Sequence, residues 1–368
     1  MIVPDHCGAV LTIDLDAVAA NYRLLADKSG KAICAAVVKA DAYGLGMAKL
    51  VPALAAAGCG NFFVATIDEG IELRNVLADV SIYVLNGPAP DSGPVFAECR
   101  LTPVLNSPWN IEAWAAYCNG RGNPLPAVIH IDTGMSRLGL SLRELEDLTA
   151  KPERLASVKL AAVMSHLACA DEPGHEMNRR QLTSFRRALT RLPKTATSMA
   201  NSSGIFLGAD YHFDMTRPGA ALYGISPIKD GPNPMAQVVR LQAEILQIRD
   251  VDTPLTVGYG ATCQVGRGGR IATVAAGYAD GYLRSLSNCG CGFIGNYQAP
   301  VIGRVSMDLI TLDVSKIPHD AARPGVMVDL IGPSQPVDEV ARRAGTIGYE
   351  ILTGLGARYR RIYSGGKA

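Results

Sequence analysis

The chain has 368 residues, of which 48% are hydrophobic, which is enough for one large barrel or for two domains with a sizeable core. Its 35 basic and 34 acidic residues leave a net charge of +1, without the basic excess typical of nucleic-acid-binding proteins. No uninterrupted apolar run reaches the roughly 18 residues that a membrane-spanning helix requires.

The N-terminal stretch and the cysteines both indicate a cytoplasmic protein. The stretch MIVPDHCGAVLTIDLD carries acidic residues where an export signal has an apolar core. The 9 cysteines are scattered, and the close pair Cys289 and Cys291 has no second pair at metal-site spacing. We therefore expect reduced thiols, a cytoplasmic location and no metal site.

Short apolar runs alternate with helical patterns through the first two thirds of the chain. The runs that predict strands are AICAAVV, NFFVAT, SIYVLN, LTPVLN, AVIHID, KLAAVMSH and TATSMAN. The patterns MAKLVPALAAAG and HEMNRRQLTSFRRALTRL predict helices between them. This alternation is typical of a parallel α/β fold, and about seven such units favour an N-terminal (β/α)8 TIM barrel without excluding an open sheet.

The pattern changes at residues 224–237, GISPIKDGPNPMAQ, where three prolines and two glycines predict a linker or a crossover. The β-type runs that follow include RIATVAAGYADG, APVIGRVSMDLITLDV and GVMVDLIG. We therefore predict a barrel at residues 1–235 and a C-terminal all-β domain at residues 236–368. Whether the first strand of the chain joins the β domain is left open.

Polar residues follow the ends of several predicted barrel strands, where barrel active sites form. They are Lys39, Arg137, His166, Asn201, Ser202 and Arg217. Taken singly, each has an ordinary structural explanation, such as a lysine directed to solvent, a buried histidine or an arginine in an ion pair. Their repeated placement at strand ends favours a site.

Lys39 suggests the chemistry of that site. Burial lowers the pKa of a lysine, so that its amine becomes a nucleophile able to form a Schiff base with pyridoxal phosphate. This cofactor also requires donors for its phosphate, a partner for its ring nitrogen and groups that move protons. Tyr43, Ser202 and the backbone near Gly219 are candidate phosphate donors.

Nine motifs in order resemble the alanine racemases, pyridoxal-phosphate enzymes built from a barrel and a β domain. They are AVVKADAYGLG, HIDTGMSRLG, SHLACADEP, MANSSGI, DMTRPGAALYG, VGYGATC, AAGYADGYLR, GRVSMD and IGYEILTGLGARYRR. The resemblance extends from about residue 10 to residue 363. It implies an isomerase that interconverts L-alanine and D-alanine, used in cell-wall peptidoglycan synthesis or in alanine degradation.

The resemblance implies a role for each matching residue. Lys39 would hold the cofactor, Arg217 would face its ring nitrogen, and His166 would link Arg217 to Tyr259. The residues implied for the phosphate are Tyr43, Ser202, Gly219, Ala220 and Tyr349. The substrate carboxylate would bind Arg137 and the Met307 backbone N–H, and Tyr278 and Arg284 would line the route by which substrate enters.

The resemblance also implies a homodimer with shared active sites. In this family the residues at the positions of Tyr259, Tyr278, Arg284 and Met307 come from the second subunit. No nucleic acid or membrane partner is expected, and the expected ligand is a small amino acid.

Racemisation explains the need for two acid/base groups. The α-proton leaves one face of the substrate and returns on the other, so Lys39 and Tyr259 are expected on opposite faces. A tyrosine has an ordinary pKa of about 10 and must be helped to ionise. Cationic Arg217, acting through His166, is a reasonable source of that help.

His130 is a departure from the family pattern. Many relatives have a carbamylated lysine there, which braces the carboxylate-binding arginine. A histidine supplies no such negative charge, so strict specificity for alanine is open, and a broader-specificity racemase is an alternative. A decarboxylase on the same scaffold is less favoured because of Tyr259, and a non-catalytic cofactor carrier because of the predicted β domain.

Overall fold

The computed structural model describes residues 8–366, so residues 1–7 of the N-terminal stretch used to argue against an export signal lie outside it, as do residues 367–368. The described chain forms two compact units. One, here the barrel unit, holds Val18–Leu222 and Ser226–Met235. The other, the sheet unit, holds the residues up to Ala17, Tyr223–Ile225 and the residues from Ala236 onward.

The barrel unit contains a sheet whose strands all pair in parallel. Its strands are β2 (Ile33–Cys34), β3 (Ala36–Val37), β4 (Asn61–Val64), β5 (Ser81–Val84), β6 (Leu101–Leu105), β7 (Leu125–His130), β8 (Val158–Met164), β9 (Ala196–Ser198) and β10 (Met215–Thr216). Strands β2 and β3 are two halves of one run, interrupted at Ala35. This run pairs with β10 through β2 and with β4 through β3, which closes the barrel.

One helix precedes these strands, and others follow most of them. They are α1 (Leu15–Ser29), the short turn α2 (Lys39–Gly44), α3 (Met47–Ala56), α4 (Ile67–Val76), α5 (Gly93–Glu98), α6 (Pro108–Arg121), α7 (Leu142–Thr149) and α8 (Glu176–Leu189). The predicted barrel is confirmed, as are the helices predicted from MAKLVPALAAAG and HEMNRRQLTSFRRALTRL. Strand β10 was not predicted, since two residues are too few to show a period.

The sheet unit is mainly antiparallel. Its strands are β1 (Ala9–Asp14), β11 (Val239–Asp250), β12 (Leu255–Val257), β13 (Cys263–Val265), β14 (Arg270–Val274), β15 (Cys291–Ile294), β16 (Tyr297–Pro300), β17 (Ile310–Asp313), β18 (Met327–Ile331) and β19 (Arg360–Ser364). The predicted C-terminal sheet domain is confirmed, and it also carries two short helices, α9 (Val337–Ala344) and α10 (Gly348–Thr353). The first strand of the chain lies in this unit, antiparallel to β11 and parallel to β19.

The described part of the chain bears on two of the predictions, those on the cysteines and on membrane-spanning helices. All eight cysteines between residues 8 and 366 are free thiols. Within the same range, no helix combines the length and the apolar character needed to cross a bilayer.

Candidate active site

Lys39 begins a left-handed turn at the end of the β3 run. The four residues after it, Ala40 to Tyr43, have φ between 52° and 57°, a region that costs a residue with a side chain about 1–2 kcal/mol. The turn is held at both ends: the Ala40 N–H donates to Glu69 Oε1 at 2.7 Å, and Asp41 Oδ1 accepts from the Met47 N–H at 2.6 Å. Such a costly conformation persists because these hydrogen bonds stabilise it. The turn places Lys39 and Tyr43 close together on one short segment.

Glu69 holds this turn from the neighbouring strand–helix junction. It lies in the first turn of α4, where Thr66 and Glu69 form a reciprocal capping box. Its Oε2 accepts from the Ala65 N–H at 2.7 Å, while Oε1 reaches the lysine turn. One carboxylate therefore joins the ends of β3 and β4 beside Lys39.

The Lys39 amine is partly buried and has no ion-pair or hydrogen-bond partner within residues 8–366. Burial lowers its pKa, and the positive charge of Arg137 lowers it further, while Glu69 opposes the shift. A larger fraction of the amine is therefore neutral at neutral pH than for a lysine in water.

Ser202, Gly219 and Ala220 form a small polar cradle near the carboxyl ends of β9 and β10. The buried Ser202 Oγ accepts the N–H groups of Gly219 at 3.0 Å and Ala221 at 3.2 Å, so its own hydrogen stays available for donation. The Ala220 N–H finds no acceptor in the described part of the chain. The Ser202 hydroxyl and the Ala220 N–H are thus two donors available to a phosphate at this cradle.

Tyr43 lies against the backbone of this cradle. A Cβ on Gly219 would lie 2.4 Å from the Tyr43 hydroxyl and 3.3 Å from Val37 Cβ. Only a glycine leaves room for the ring there. The left-handed turn that begins at Lys39 thus places Tyr43 beside the cradle.

Arg217 is a buried cation whose described partners are all neutral. Its Nη2 donates to Ser165 O at 2.6 Å, and its Nη1 donates to Ser198 Oγ. Burial lowers the pKa of Arg217 to about 9, so the guanidinium is still charged at pH 7. Its charge is therefore available to a ligand or to a neighbour.

His166 is that neighbour. The Arg217 Nη2 lies 3.5 Å from His166 Nδ1, and since an arginine only donates, Nδ1 is the acceptor and the proton of neutral His166 is on Nε2. Burial, followed by the charge of Arg217, lowers the pKa of His166 well below its ordinary value. The ring can thus donate from Nε2 while its other nitrogen faces a cation.

His130 ends β7 inside the barrel and is also neutral. The Asn106 amide nitrogen donates to Leu85 O at 2.8 Å and to Val104 O at 3.1 Å, so Asn106 Oδ1 faces His130 Nδ1 at 2.8 Å and accepts its proton. Burial, together with the charge of Arg217, lowers the pKa of His130 to about 4. His130 therefore brings no charge of either sign to Arg137.

Arg137 is exposed on a loop built around Asp132. The Asp132 carboxylate accepts the N–H groups of Gly134, Met135 and Ser136 at 2.9 to 3.1 Å, and the loop returns to β7 through Leu140 N–H and His130 O at 2.8 Å. The aspartate of the DTG motif is thus the centre of the loop that presents Arg137.

Gln181 of α8 joins this loop to the histidine segment. It is fully buried, and its Nε2 donates to Thr133 Oγ1 at 3.2 Å and to His166 O at 2.8 Å. Its Oε1 accepts from the Ala168 N–H at 2.9 Å. Sequence reasoning missed both Gln181 and Glu69. The sequence TIDE has the pattern of a capping box and could have identified Glu69 as a residue with a structural role. No local pattern distinguishes Gln181 from a solvent-facing glutamine.

The remaining candidate residues lie in the sheet unit. Tyr259 lies between β12 and β13 with 70% of its surface exposed, and Met307 is 53% exposed at the tip of a turn closed by Ser306 N–H and Leu309 O at 3.0 Å. No described residue accepts the Met307 N–H. Tyr278 and Arg284 are exposed on short 3-10 helices, and Tyr349 is exposed on α10. The barrel unit therefore brings together Lys39, Arg137, His166, Arg217 and the phosphate candidates other than Tyr349, and the sheet unit carries the remaining candidates.

Comparison with known proteins gives a consistent result. Two family models match the chain: the N-terminal domain of alanine racemase over residues 13–227 and its C-terminal domain over residues 238–363. The alanine racemase of Rhodospirillum rubrum is 52% identical over 98% of this chain and 97% of that protein. The catabolic alanine racemase of Agrobacterium fabrum is 51% identical over 96% of this chain and 91% of that protein.

A solved structure agrees with these relatives. The alanine racemase of Bartonella henselae, with covalently bound pyridoxal phosphate, superposes with a TM-score of 0.94 at 43% identity. The match covers 97% of this chain and 99% of that one.

Proposed function

Because this chain belongs to the alanine racemase family, whose members are pyridoxal-phosphate-dependent isomerases of L- and D-alanine, we propose that Lys39 and Tyr259 exchange the α-proton on opposite faces of the substrate. The observation that carries this assignment is Lys39 itself. Its amine is partly buried, it has a lowered pKa and no partner in the described chain, and it lies at the barrel end that holds Arg217 and Ser202.

The residues of the barrel unit suit pyridoxal phosphate. Lys39 would attach it, the Ser202 hydroxyl and the Ala220 N–H would donate to its phosphate with Tyr43 and Gly219 beside them, and Arg217 would donate to its ring nitrogen. Tyr349 would complete the phosphate ligands. When bound, this cofactor supplies an electron sink that acidifies the substrate's α-carbon.

The protein's own groups then handle the proton. Lys39, whose pKa is lowered by burial, can accept and return a proton more readily at physiological pH than a lysine in water. Tyr259 would serve the other face, and the Nε2–H of neutral His166 would donate a hydrogen bond to its oxygen. Arg137 and the Met307 N–H would hold the substrate carboxylate.

A homodimer would complete the site, with Tyr259, Tyr278, Arg284 and Met307 supplied by a second copy. The exposure of three large side chains among these four supports this proposal, since Tyr259, Tyr278 and Met307 are at least 41% exposed in a single chain. We further propose a division of labour in which residues 1–235 form the cofactor-binding barrel, with Tyr349 as one added phosphate ligand, and residues 236–368 supply the second acid/base group. The proposed use is D-alanine supply for peptidoglycan in the cytoplasm.

Peptide mapping after borohydride reduction tests the assignment of Lys39. We expect the reduced cofactor on Lys39 in the wild-type protein, loss of the optical activity of L-alanine by circular dichroism, and neither result for Lys39→Ala. Lys49→Ala, a change at an exposed lysine of α3, is the matched control and should behave as wild type. A cofactor adduct on another lysine would contradict the proposal.

Substrate range is tested in the same assay with L-serine. Neutral His130 leaves Arg137 without a charged brace from that position, so we propose that the enzyme tolerates side chains somewhat larger than methyl. Racemisation of alanine with no detectable turnover of serine would show that this brace is not what limits specificity.

A further inference from the structure

Arg358 binds two aspartates of the sheet unit at once. Its Nε and Nη2 donate to the two oxygens of Asp280 at 2.7 and 2.8 Å, and its Nη1 donates to Asp308 Oδ1 at 2.7 Å. Asp280 is nearly buried, with its side chain 9% exposed, and it also accepts the Gly277 N–H at 2.9 Å. The resemblance gave none of these three side chains a role.

The two aspartates belong to the two loops that carry Tyr278 and Met307. These loops are already bonded: the Tyr278 N–H donates to Ser306 O and the Ala279 N–H to Met307 O, both at 3.0 Å. The two loops are also in direct contact, because a Cβ at Gly277 would lie only 2.3 Å from Met307 O and so leaves no room for a side chain there. Arg358 adds a side-chain link between the same two loops, because it binds Asp280, two residues after Tyr278, and Asp308, which directly follows Met307.

A third segment enters through the backbone. The Gly356 N–H donates to Asp280 O at 3.0 Å, and a Cβ on Gly281 would lie 2.1 Å from Gly354 O. This segment directly follows α10, the helix that carries Tyr349. Arg358 therefore ties together three stretches of chain, each of which presents one candidate site residue.

We propose that Arg358 is a positioning residue, whose bridge between Asp280 and Asp308 fixes the Met307 N–H in the geometry that binds the substrate carboxylate and holds Tyr278 in place beside the entry. This inference rests on the proposed function, which gives Met307 and Tyr278 their roles. The planar guanidinium is suited to the task because it donates to both oxygens of one carboxylate and still reaches the second aspartate, which a lysine ammonium cannot do in a fixed geometry.

Asp308→Asn is the mildest test, because it leaves the Arg358–Asp280 pair intact and weakens only the link to the Met307 turn. We expect the KM for L-alanine and the inhibition constant of propionate, a carboxylate without an amine, to rise together by about tenfold, with kcat changed far less. The melting temperature and the cofactor absorbance of the holoenzyme should stay as in the wild type.

Arg358→Lys and Arg358→Ala extend the series. Lysine keeps the charge without the fork and should give a rise in KM comparable to that of Asp308→Asn, and alanine a larger one, with kcat/KM lower by roughly 10 to 100-fold. Arg342→Ala is the control, since Arg342 also forms a bidentate pair, with Glu339, but joins no loops. It should leave KM and the propionate constant unchanged.

Two results would overturn the inference. One is an unchanged KM and propionate constant in both Asp308→Asn and Arg358→Lys. The other is a melting temperature that falls in these variants while KM stays constant, which is the result expected of a purely structural pair. A wild-type protein that neither racemises alanine nor binds propionate would instead refute the proposed function.

Discussion

Gly219→Ala is expected to damage the cofactor cradle through a single contact. The new Cβ would lie 2.4 Å from the Tyr43 hydroxyl, whereas ordinary contact begins at 3.4 Å, so the two atoms must separate by a further 1.0 Å. The Tyr43 ring cannot easily yield, because it is 8% exposed and its own backbone is the last residue of the left-handed turn. Overpacking of this kind costs about 1–3 kcal/mol.

A double-mutant cycle measures that cost. Gly219→Ala should lower the free energy of unfolding by about 2 kcal/mol and weaken pyridoxal phosphate binding about tenfold or more. Removing the hydroxyl in Tyr43→Phe removes the clashing atom, so the double variant should recover more than half of the loss of stability. Urea titration of the apoprotein and fluorescence titration with the cofactor give the two quantities.

Gly174→Ala is the matched control, since nothing lies within 4 Å of the position where its Cβ would be. It should leave stability within about 0.5 kcal/mol of wild type. The reasoning is refuted if Gly219→Ala is as stable as Gly174→Ala and binds the cofactor as tightly, or if Tyr43→Phe fails to rescue it.

Three other predictions follow from neighbouring features. Ala40→Gly should raise the free energy of unfolding by about 1 kcal/mol in urea, because φ of 53° is costly for alanine and not for glycine, and a decrease would contradict this. The pKa of His130 is about 4 in the fold against an ordinary value of 6.5, so its contribution to stability is complete above pH 6.5 and is lost as pH falls to about 4. Between pH 7 and pH 4, the free energy of unfolding of His130→Asn should therefore fall by about 3 kcal/mol less than that of the wild type. If the free energies of unfolding of the two proteins fall in parallel with pH, the lowered pKa of His130 is refuted. Gln181→Leu should lower stability by about 1–3 kcal/mol and reduce kcat/KM, because it leaves the His166 and Ala168 backbone groups unpaired, and a wild-type kcat/KM would exclude a role in placing His166.

The sequence predicted the barrel because its strands are buried on both faces and its helices have one apolar face, and each property leaves a periodic pattern. It also placed Lys39 and Arg217 near strand ends, where a barrel concentrates its chemistry. Strand β10 left no such trace. Its two residues are defined only by pairing with β2, far away along the chain.

The site was less predictable where geometry depends on distant partners. The left-handed turn after Lys39 cannot be inferred from KADAYG, whose alanines favour a right-handed helix. It is set by Glu69, which is 29 residues from Ala40. The buried position of Gln181 likewise depends on Thr133 and His166, which no local pattern connects to α8.

The closure of the barrel has a consequence for folding. Every other strand pair in the ring joins neighbours along the chain, whereas the run at residues 33–37 pairs with residues 215–218, which are separated from it in sequence by all the other strands of the ring. Lys39 lies just beyond one side of this junction, and Arg217 and Gly219 lie on the other. Pairing over so long a separation in sequence carries a high cost in chain entropy, and a cofactor joined to both sides would hold this junction together. Amide protons such as those of Ala35 and Val37, which donate to Thr216 and Pro218, should therefore exchange with solvent much faster in the apoprotein than in the holoenzyme, while those of β7 and β8 should change little.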